Sequence, residues 1–313
     1  MSKTLYFAKI NINDANIFRI YNNTISINEI MEKLFDGIDN GITFNRKIRY
    51  KKNGQEHIEE QDFIFTSINK YSEEEPKVLV GNIVKTSKIY INKVNKTTGE
   101  KFTTPVDNDE IVKFCFCPAE EIVAFYCANR FGYKTFCSAF EGLLCKVSEI
   151  SGDETEYFKV SLLNNGTSLE NIKNELKKMK NIETLRISII PPNPNKELLT
   201  AIKENGEKRL ENLQEGRIAE KSILFKSRDK RGLNSEAKEI VNELDAISEI
   251  HSHLTVEEST SKGYVEVEAK SKDGRIYNTN KSKIIKDKMP DDIVSDKAFS
   301  KYCRKRIVVL CIR

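Results

Sequence analysis

Three alternating residues, Glu266, Glu268 and Lys270 in "GYVEVEAKSKDGR" (263–275), have the types and spacing that end a metal-dependent nuclease motif. In such a site acidic side chains hold a divalent cation whose bound water is the nucleophile, and a lysine stands beside it. The site needs a further acid, usually from a preceding strand. The preceding strand candidate, "SILFKSRDK" (222–230), offers only Asp229, at its end between Arg228 and Lys230. The same stretch also reads as a half-buried antiparallel strand. Tyr264, Glu266, Glu268 and Lys270 then share one face, and Val265, Val267 and Ala269 form the other. The first reading makes the chain a nuclease with Glu266, Glu268 and Lys270 at the metal; the second leaves them on a solvent face.

Basic residues offer a different chemistry, the neutralisation of phosphate. "TFNRKIRYKK" (43–52) contains Arg46, Lys47, Arg49, Lys51 and Lys52 and no acid. On a strand, Lys47, Arg49 and Lys51 would form a row along one face, opposite Arg46, and such a row can track a nucleic-acid backbone. "VKTSKIYINKVNK" (84–96) carries Lys85, Lys88, Lys93 and Lys96, again with no acid. Residues 281–313 contain ten Lys or Arg against four Asp, centred on Arg304, Lys305 and Arg306. A solvated face in a Lys-rich chain explains any one cluster. Three of them in a chain of net charge +4 imply that the acids sit elsewhere, and this segregation points to an anionic partner.

Other candidates are thinner. His251 and His253 are spaced to chelate a metal but sit between a helical pattern and a Thr-rich loop, and His57 stands alone. The seven cysteines form no C-x-x-C; Cys115 and Cys117 would share one face of a strand, with spacing unsuited to a zinc ribbon or finger. Reduced, mostly buried thiols are expected. There is no Walker A, dinucleotide fingerprint, G-x-S-x-G or H-E-x-x-H. No cofactor is expected and no small-molecule substrate is identified.

The elements that must position these residues can be read from periodicity. "TLYFAKINI" (4–12) alternates as a strand, and 26–38 has helical apolar spacing behind a Ser26/Glu29 capping box. Asn53-Gly54 suggests a hairpin. The stretch 110–150 reads as strand, turn at Cys117-Pro118-Ala119-Glu120, strand, then a helix over 134–148. From 156 the pattern is β-α-β-α-β-α-β: strands at 156–165, 183–194, 219–228 and 262–270, and helices at 168–180, 195–216 and 234–250. The expected fold is α+β with two domains, a strand-rich one over 1–151 and an α/β sandwich over 152–313 with a basic tail. A ferredoxin-like order suits the second. The apolar end "IVVLCI" (307–312) should either pair two copies or dock on its own sheet. No secretory leader and no run of 18 apolar residues is present, so a cytoplasmic location is expected.

At "LRISIIPPNP", "KENGEKRLENL" and "KGYVEVEAKSKDGRIYNTNKSK" the chain resembles an uncharacterised family of mobile-element-associated bacterial proteins, with a "PPNP" after a strand and a late "GYVEV…DGK…ST" strand pair. "KTLYFAKINI" and "FCFCPAEEIVAFYCANRFGYKTFCSAFEGLL" fit it loosely. The order of elements from about residue 110 more remotely resembles RexA, the lambdoid phage-exclusion protein. The resemblance implies a two-domain, dimeric, DNA-binding protein acting in phage exclusion or antiviral defence, often beside a membrane-protein partner, and carries over no catalytic residues. Together with the basic segments it leads to the expectation of a non-catalytic protein. It would bind double-stranded DNA without sequence preference through Arg46, Lys47, Arg49, Lys51, Lys85, Lys88, Lys93, Arg304, Lys305 and Arg306. The nuclease and a toxin- or antitoxin-type interaction module are the alternatives.

Overall fold

Alternating apolar residues make Lys3–Ile12 the first strand, β1, of the larger of two sheets in the computed structural model, which describes residues 3–52, 55–127, 131–151, 156–194, 198–200, 208–249 and 254–311. The chain continues through α1 (Asn16–Tyr21) and α2 (Ile27–Gly37) into four long strands, β2 (Thr43–Lys52), β3 (Gln55–Tyr71), β4 (Val78–Val94) and β5 (Lys101–Cys117). Then follow β6 (Ile122–Tyr126), α3 (Tyr133–Ile150) and β7 (Phe158–Leu162). The expected capping box is present: Ser26 Oγ accepts from the Glu29 N–H at 3.1 Å, and Glu29 accepts from the Ser26 N–H at 2.6 Å. The expected turn at Pro118–Glu120 is a 3-10 turn that reverses β5 into β6.

The sheet runs β12-β1-β6-β5-β4-β3-β2, where β12 is Lys286–Met289, and β7 pairs with the other half of the same edge of β1. Its two faces separate by strand alternation. Phe63, Phe65, Ile83, Val112 and Phe114 point towards α1, α2 and α3. There Phe125 and Phe136 stack at 3.7 Å between centroids, and Phe140 meets Phe114 at 5.2 Å. Phe7, Val80, Cys115 and Cys117 point the other way, against Phe299, Cys303 and Ile307 of α8 (Asp296–Cys311). Residues 307–311 of the apolar segment therefore end a helix docked on its own sheet. Cys115 and Cys117 share a face, as their spacing predicts, and all seven cysteines are free.

The second sheet is smaller and antiparallel, ordered β11-β10-β8-β9: β8 is Ile182–Ile189, β9 Lys221–Lys226, β10 Val265–Ser271 and β11 Ile276–Asn278. Ile172 and Leu176 of α4 (Leu169–Lys178), with Ile240 and Leu244 of α6 (Lys238–Asp245), cover one face through Leu185, Ile187, Val265 and Val267. Of the helix expected over 195–216, α5 (Lys208–Glu215) is described, and a short α7 (Val256–Ser261) precedes β10.

The α+β class is as expected, but the division at residue 152 does not follow the sheets. β7, β12 and α8 all belong to the first sheet. The first strand of the expected β-α-β-α-β-α-β series thus leaves its series, and the ferredoxin-like order does not form. The reason is that β1 is long enough to offer two stretches on one edge, 3–6 to β12 and 8–12 to β7.

The segments "PPNP" (191–194) and "GYVEV" (263–267) lie where the two sheets meet. Asn193 accepts from the Ile12 N–H at 2.9 Å and donates to the Ile10 carbonyl at 2.7 Å. Tyr21 donates to the Pro192 carbonyl at 2.6 Å. Gly263, at φ +77°, packs so closely that a Cβ would lie 2.3 Å from Ser161. Tyr264 is buried, which pushes its phenol up to about 12. Beside it Lys9 pairs with Glu121 at 3.0 Å. These residues join the sheets rather than form an open site.

Candidate nucleic-acid interface

The acid-free segments of the sequence acquire their acids from neighbouring strands. β2 lies in register with β3, so Lys47 faces Glu60 and pairs with it at 2.9 Å. The hydrogen bond from Lys47, then its charge, and also the charge of Lys88, hold the Glu60 carboxyl below its ordinary range. β4 lies in register with β5, so Lys88 faces Asp107 and Lys85 faces Glu110. Lys85 was expected to touch DNA. It is instead 6 % exposed and bonded to the equally buried Glu110 at 2.8 Å. Arg46 turns inward, its guanidinium 5.5 Å from the Phe63 ring centre and donating to Gln61 at 2.6 Å. Burial lowers its pKa against the opposing pull of Glu59. Arg49 and Lys93 are exposed, opposite Ile58 and Phe102. The Lys51 and His57 side chains, and His251 and His253, lie outside the described residues.

The third expected cluster is also broken up. Arg304 is buried, bonded to the Pro76 carbonyl at 2.7 Å and to Glu74. Arg306 pairs with Asp287, and Lys305 alone of the three is exposed and without an ion pair among the described residues. Arg304 meets the chain just before β4, whereas Lys88 and Lys93 lie about 30 Å or more along that strand. The ten expected residues therefore do not form one surface.

Glu266, Glu268 and Lys270 do lie on one face of β10, turned away from the helices. The Asn278 amide donates to both carboxylates at 2.8 Å, and Lys281 stands 3.7 Å from Glu268. Arg186 of β8 is directly opposite Glu268. Among the described residues no three His, Cys, Asp or Glu side chains group as a metal cage. Lys270 points to the other end of the strand, where the structure gathers positive charge.

At that end three turns meet: α4 to β8, β9 to α6, and β10 to β11. The Lys272 N–H donates to the Asn181 carbonyl at 3.1 Å, its ammonium reaches the Asp229 carbonyl, and the Leu233 N–H donates to the Ile182 carbonyl at 2.7 Å. Gly232, at φ +80°, lies flush on the first turn, where a Cβ would be 2.5 Å from the Asn181 carbonyl carbon. Together the turns and strand ends expose Lys178, Lys180, Lys226, Arg228, Lys230, Arg231, Lys270, Lys272 and Arg275.

The acids among them are occupied. Asp229 accepts from the Arg231 N–H at 2.7 Å, which, with the Arg231 side chain and the charge of Lys272, holds its carboxyl low. Asp273 is held low by the Ser271 hydroxyl and the Arg275 N–H. Glu175 pairs with Lys178 at 2.7 Å. Lys180, Lys226, Arg228, Lys230, Lys270 and Arg275 form no ion pair among the described residues.

The platform continues onto the face of the second sheet turned away from α4 and α6. Lys226 and Lys270 are both opposite Thr184, one on each side, hence about 10 Å apart. Arg186 is exposed opposite Leu224, and Lys270 is opposite Ile276; Leu224 and Ile276 are each 54 % exposed. The aromatic residues of these strands, Phe225 and Tyr277, face the helices instead. The surface offers cations and no stacking ring, a set suited to phosphates rather than to unpaired bases.

Sequence reasoning missed this platform because each of its segments contains an acid. "KSRDKR" (226–231) and "KSKDGR" (270–275) each hold one Asp, which hid them from a search for acid-free runs although their net charges are +3 and +2. The usable signal was the place of that Asp inside a turn, where its carboxylate bonds the backbone two residues on. Gly232→Ala should force the second turn off the first, costing about 1–3 kcal/mol for the left-handed backbone and more for the close approach. A lower urea midpoint together with weaker polyanion binding is the expected outcome.

Among the described residues, no helix is long and apolar enough to cross a membrane. No curated protein matches the chain. A family model matches residues 4–304, nearly its whole length, and the chain belongs to that family, described as a domain of unknown function, DUF4747.

Proposed function

We propose that the protein binds double-stranded DNA through its phosphate backbone, without sequence preference and without catalysis. The observation that carries this is the platform of nine exposed basic residues on three interlocked turns. A rigid surface of this kind neutralises several phosphates at once, and the released counterions drive binding. The lack of an exposed aromatic ring on the open sheet favours a duplex over stacked single strands. A role in phage exclusion, a cytoplasmic location and a homodimeric state belong to the same reading and rest on the resemblance of the sequence to phage-exclusion proteins.

Fluorescence anisotropy with two unrelated duplexes and an equal-length single strand, over a range of salt concentrations, tests the proposal. Equal affinity for the two duplexes is expected, with a log–log salt slope of about −5 for five or six phosphates. No binding at low salt, or a flat salt dependence, would contradict it.

A further inference from the structure

The two long hairpins of the first sheet do not stay together. β2 and β3 pair as far as Lys52 opposite Gln55, and β4 and β5 as far as Val94 opposite Lys101. The ladder between β3 and β4 stops at Gln61 opposite Ser87. Beyond that point the hairpins part as the prongs of a fork. The gap measures about 920 Å³ and is lined by Tyr50, Ile58 and Glu60 on one prong and Lys88, Tyr90 and Asp107 on the other.

Two consequences follow from this geometry. The inner edges of β3 before Gln61 and of β4 after Ser87 have no sheet partner among the described residues, so their N–H and C=O groups face the gap. Sheet edges are normally blunted, and the outer edge strand β2 carries Lys47 and Arg49 in that manner. The inner edges carry Glu60 and Lys88, but between these charges they also expose large apolar side chains: Ile58 is 60 % and Tyr90 71 % exposed. Large apolar side chains so exposed on facing strands mark a contact surface.

We propose that the fork receives an extended segment of a partner protein, inserted between β3 and β4 and hydrogen-bonded to both. Because β3 and β4 are antiparallel, the inserted strand runs antiparallel to one and parallel to the other. The free stretch of β4, from Lys88 to Val94, is about 23 Å long and accepts about seven residues. Glu59, Glu60, Asp62 and Asp107 line the gap against Lys88, its one cation among the described residues, so the segment alternates basic with apolar residues. The main chain supplies affinity and the alternate side chains supply selection, as in other strand additions. The fork is distinct from the basic platform, and its carboxylates repel nucleic acid; the inference does not rest on DNA binding.

The test uses the full chain and a fluorescent eight-residue peptide of alternating Lys and Val. Two comparison peptides are needed: alternating Glu and Val, and the Lys-Val peptide N-methylated at every second amide. The Lys-Val peptide is expected to bind and to slow hydrogen exchange of backbone amides at 56–60 and 88–93. The acidic and the methylated peptides should each bind at least tenfold more weakly, the first for charge and the second for missing main-chain bonds. Ile58→Lys with Tyr90→Lys, at exposed positions, should reduce binding at least tenfold. Absence of binding, equal binding of the methylated peptide, or protection elsewhere would overturn the proposal, and none of these three readings depends on a variant.

Discussion

Replacing Lys226, Arg228, Lys230, Lys270 and Arg275 together with glutamine should weaken duplex binding on the order of 100-fold at low salt. Each residue neutralises about one phosphate, and the log–log salt slope should flatten by about 0.9 for each phosphate no longer neutralised. Glutamine keeps most of each stem, so packing along the sheet is disturbed little. All five side chains are exposed and none forms an ion pair among the described residues, so the fold should survive. The matched control is Lys47→Gln, Arg49→Gln, Lys88→Gln and Lys93→Gln. Lys47 and Lys88 stand opposite Glu60 and Asp107, Arg49 and Lys93 are spread along the hairpins, and replacing the four should change affinity by about threefold or less. Anisotropy titrations of both variants check this. A large effect in the control with none in the platform variant would return the interface to the long hairpins.

Lys85→Met is expected to destabilise the protein by about 3–5 kcal/mol, because it removes the buried ammonium that pairs with the equally buried Glu110 carboxylate. Removing both charges, as Lys85→Met with Glu110→Leu, should recover most of that stability. Such a pair is worth little more than an apolar pair of similar volume once desolvation is counted. Urea unfolding of the two variants separates the cases. A single variant of unchanged stability but reduced DNA affinity would instead mark Lys85 as a phosphate-binding residue.

Local signals made much of the first sheet legible. The alternation of 4–12, the Ser26/Glu29 box and the apolar run through Cys117, Pro118 and Phe136 each determine their own element from neighbouring residues. Partner choice was not legible, because no local pattern says that 158–162 and 286–289 share one edge of β1. The same limit explains why the expected basic residues scatter over the fold. An acid-free strand looks cationic in sequence, yet hairpin register sets Glu60 against Lys47 and Glu110 against Lys85. Conversely, Asp229 and Asp273 hide the three-turn platform from a search for acid-free runs, although both are spent on shaping turns. Lys270 does share one face of its strand with Glu266 and Glu268, as the alternation implies. Glu268 lies two residues away on the same face, and Lys226 lies across Thr184.

Lysine reactivity in the DNA complex tests the central claim most directly. Brief treatment with an amine-acylating reagent, with and without saturating duplex, followed by peptide mass spectrometry, reports each lysine separately. The account predicts strong protection of Lys226, Lys230, Lys270 and Lys272, and unchanged reactivity of Lys88, Lys93 and Lys305. Protection of Lys88, Lys93 or Lys305 while the three-turn platform still reacts freely would contradict it.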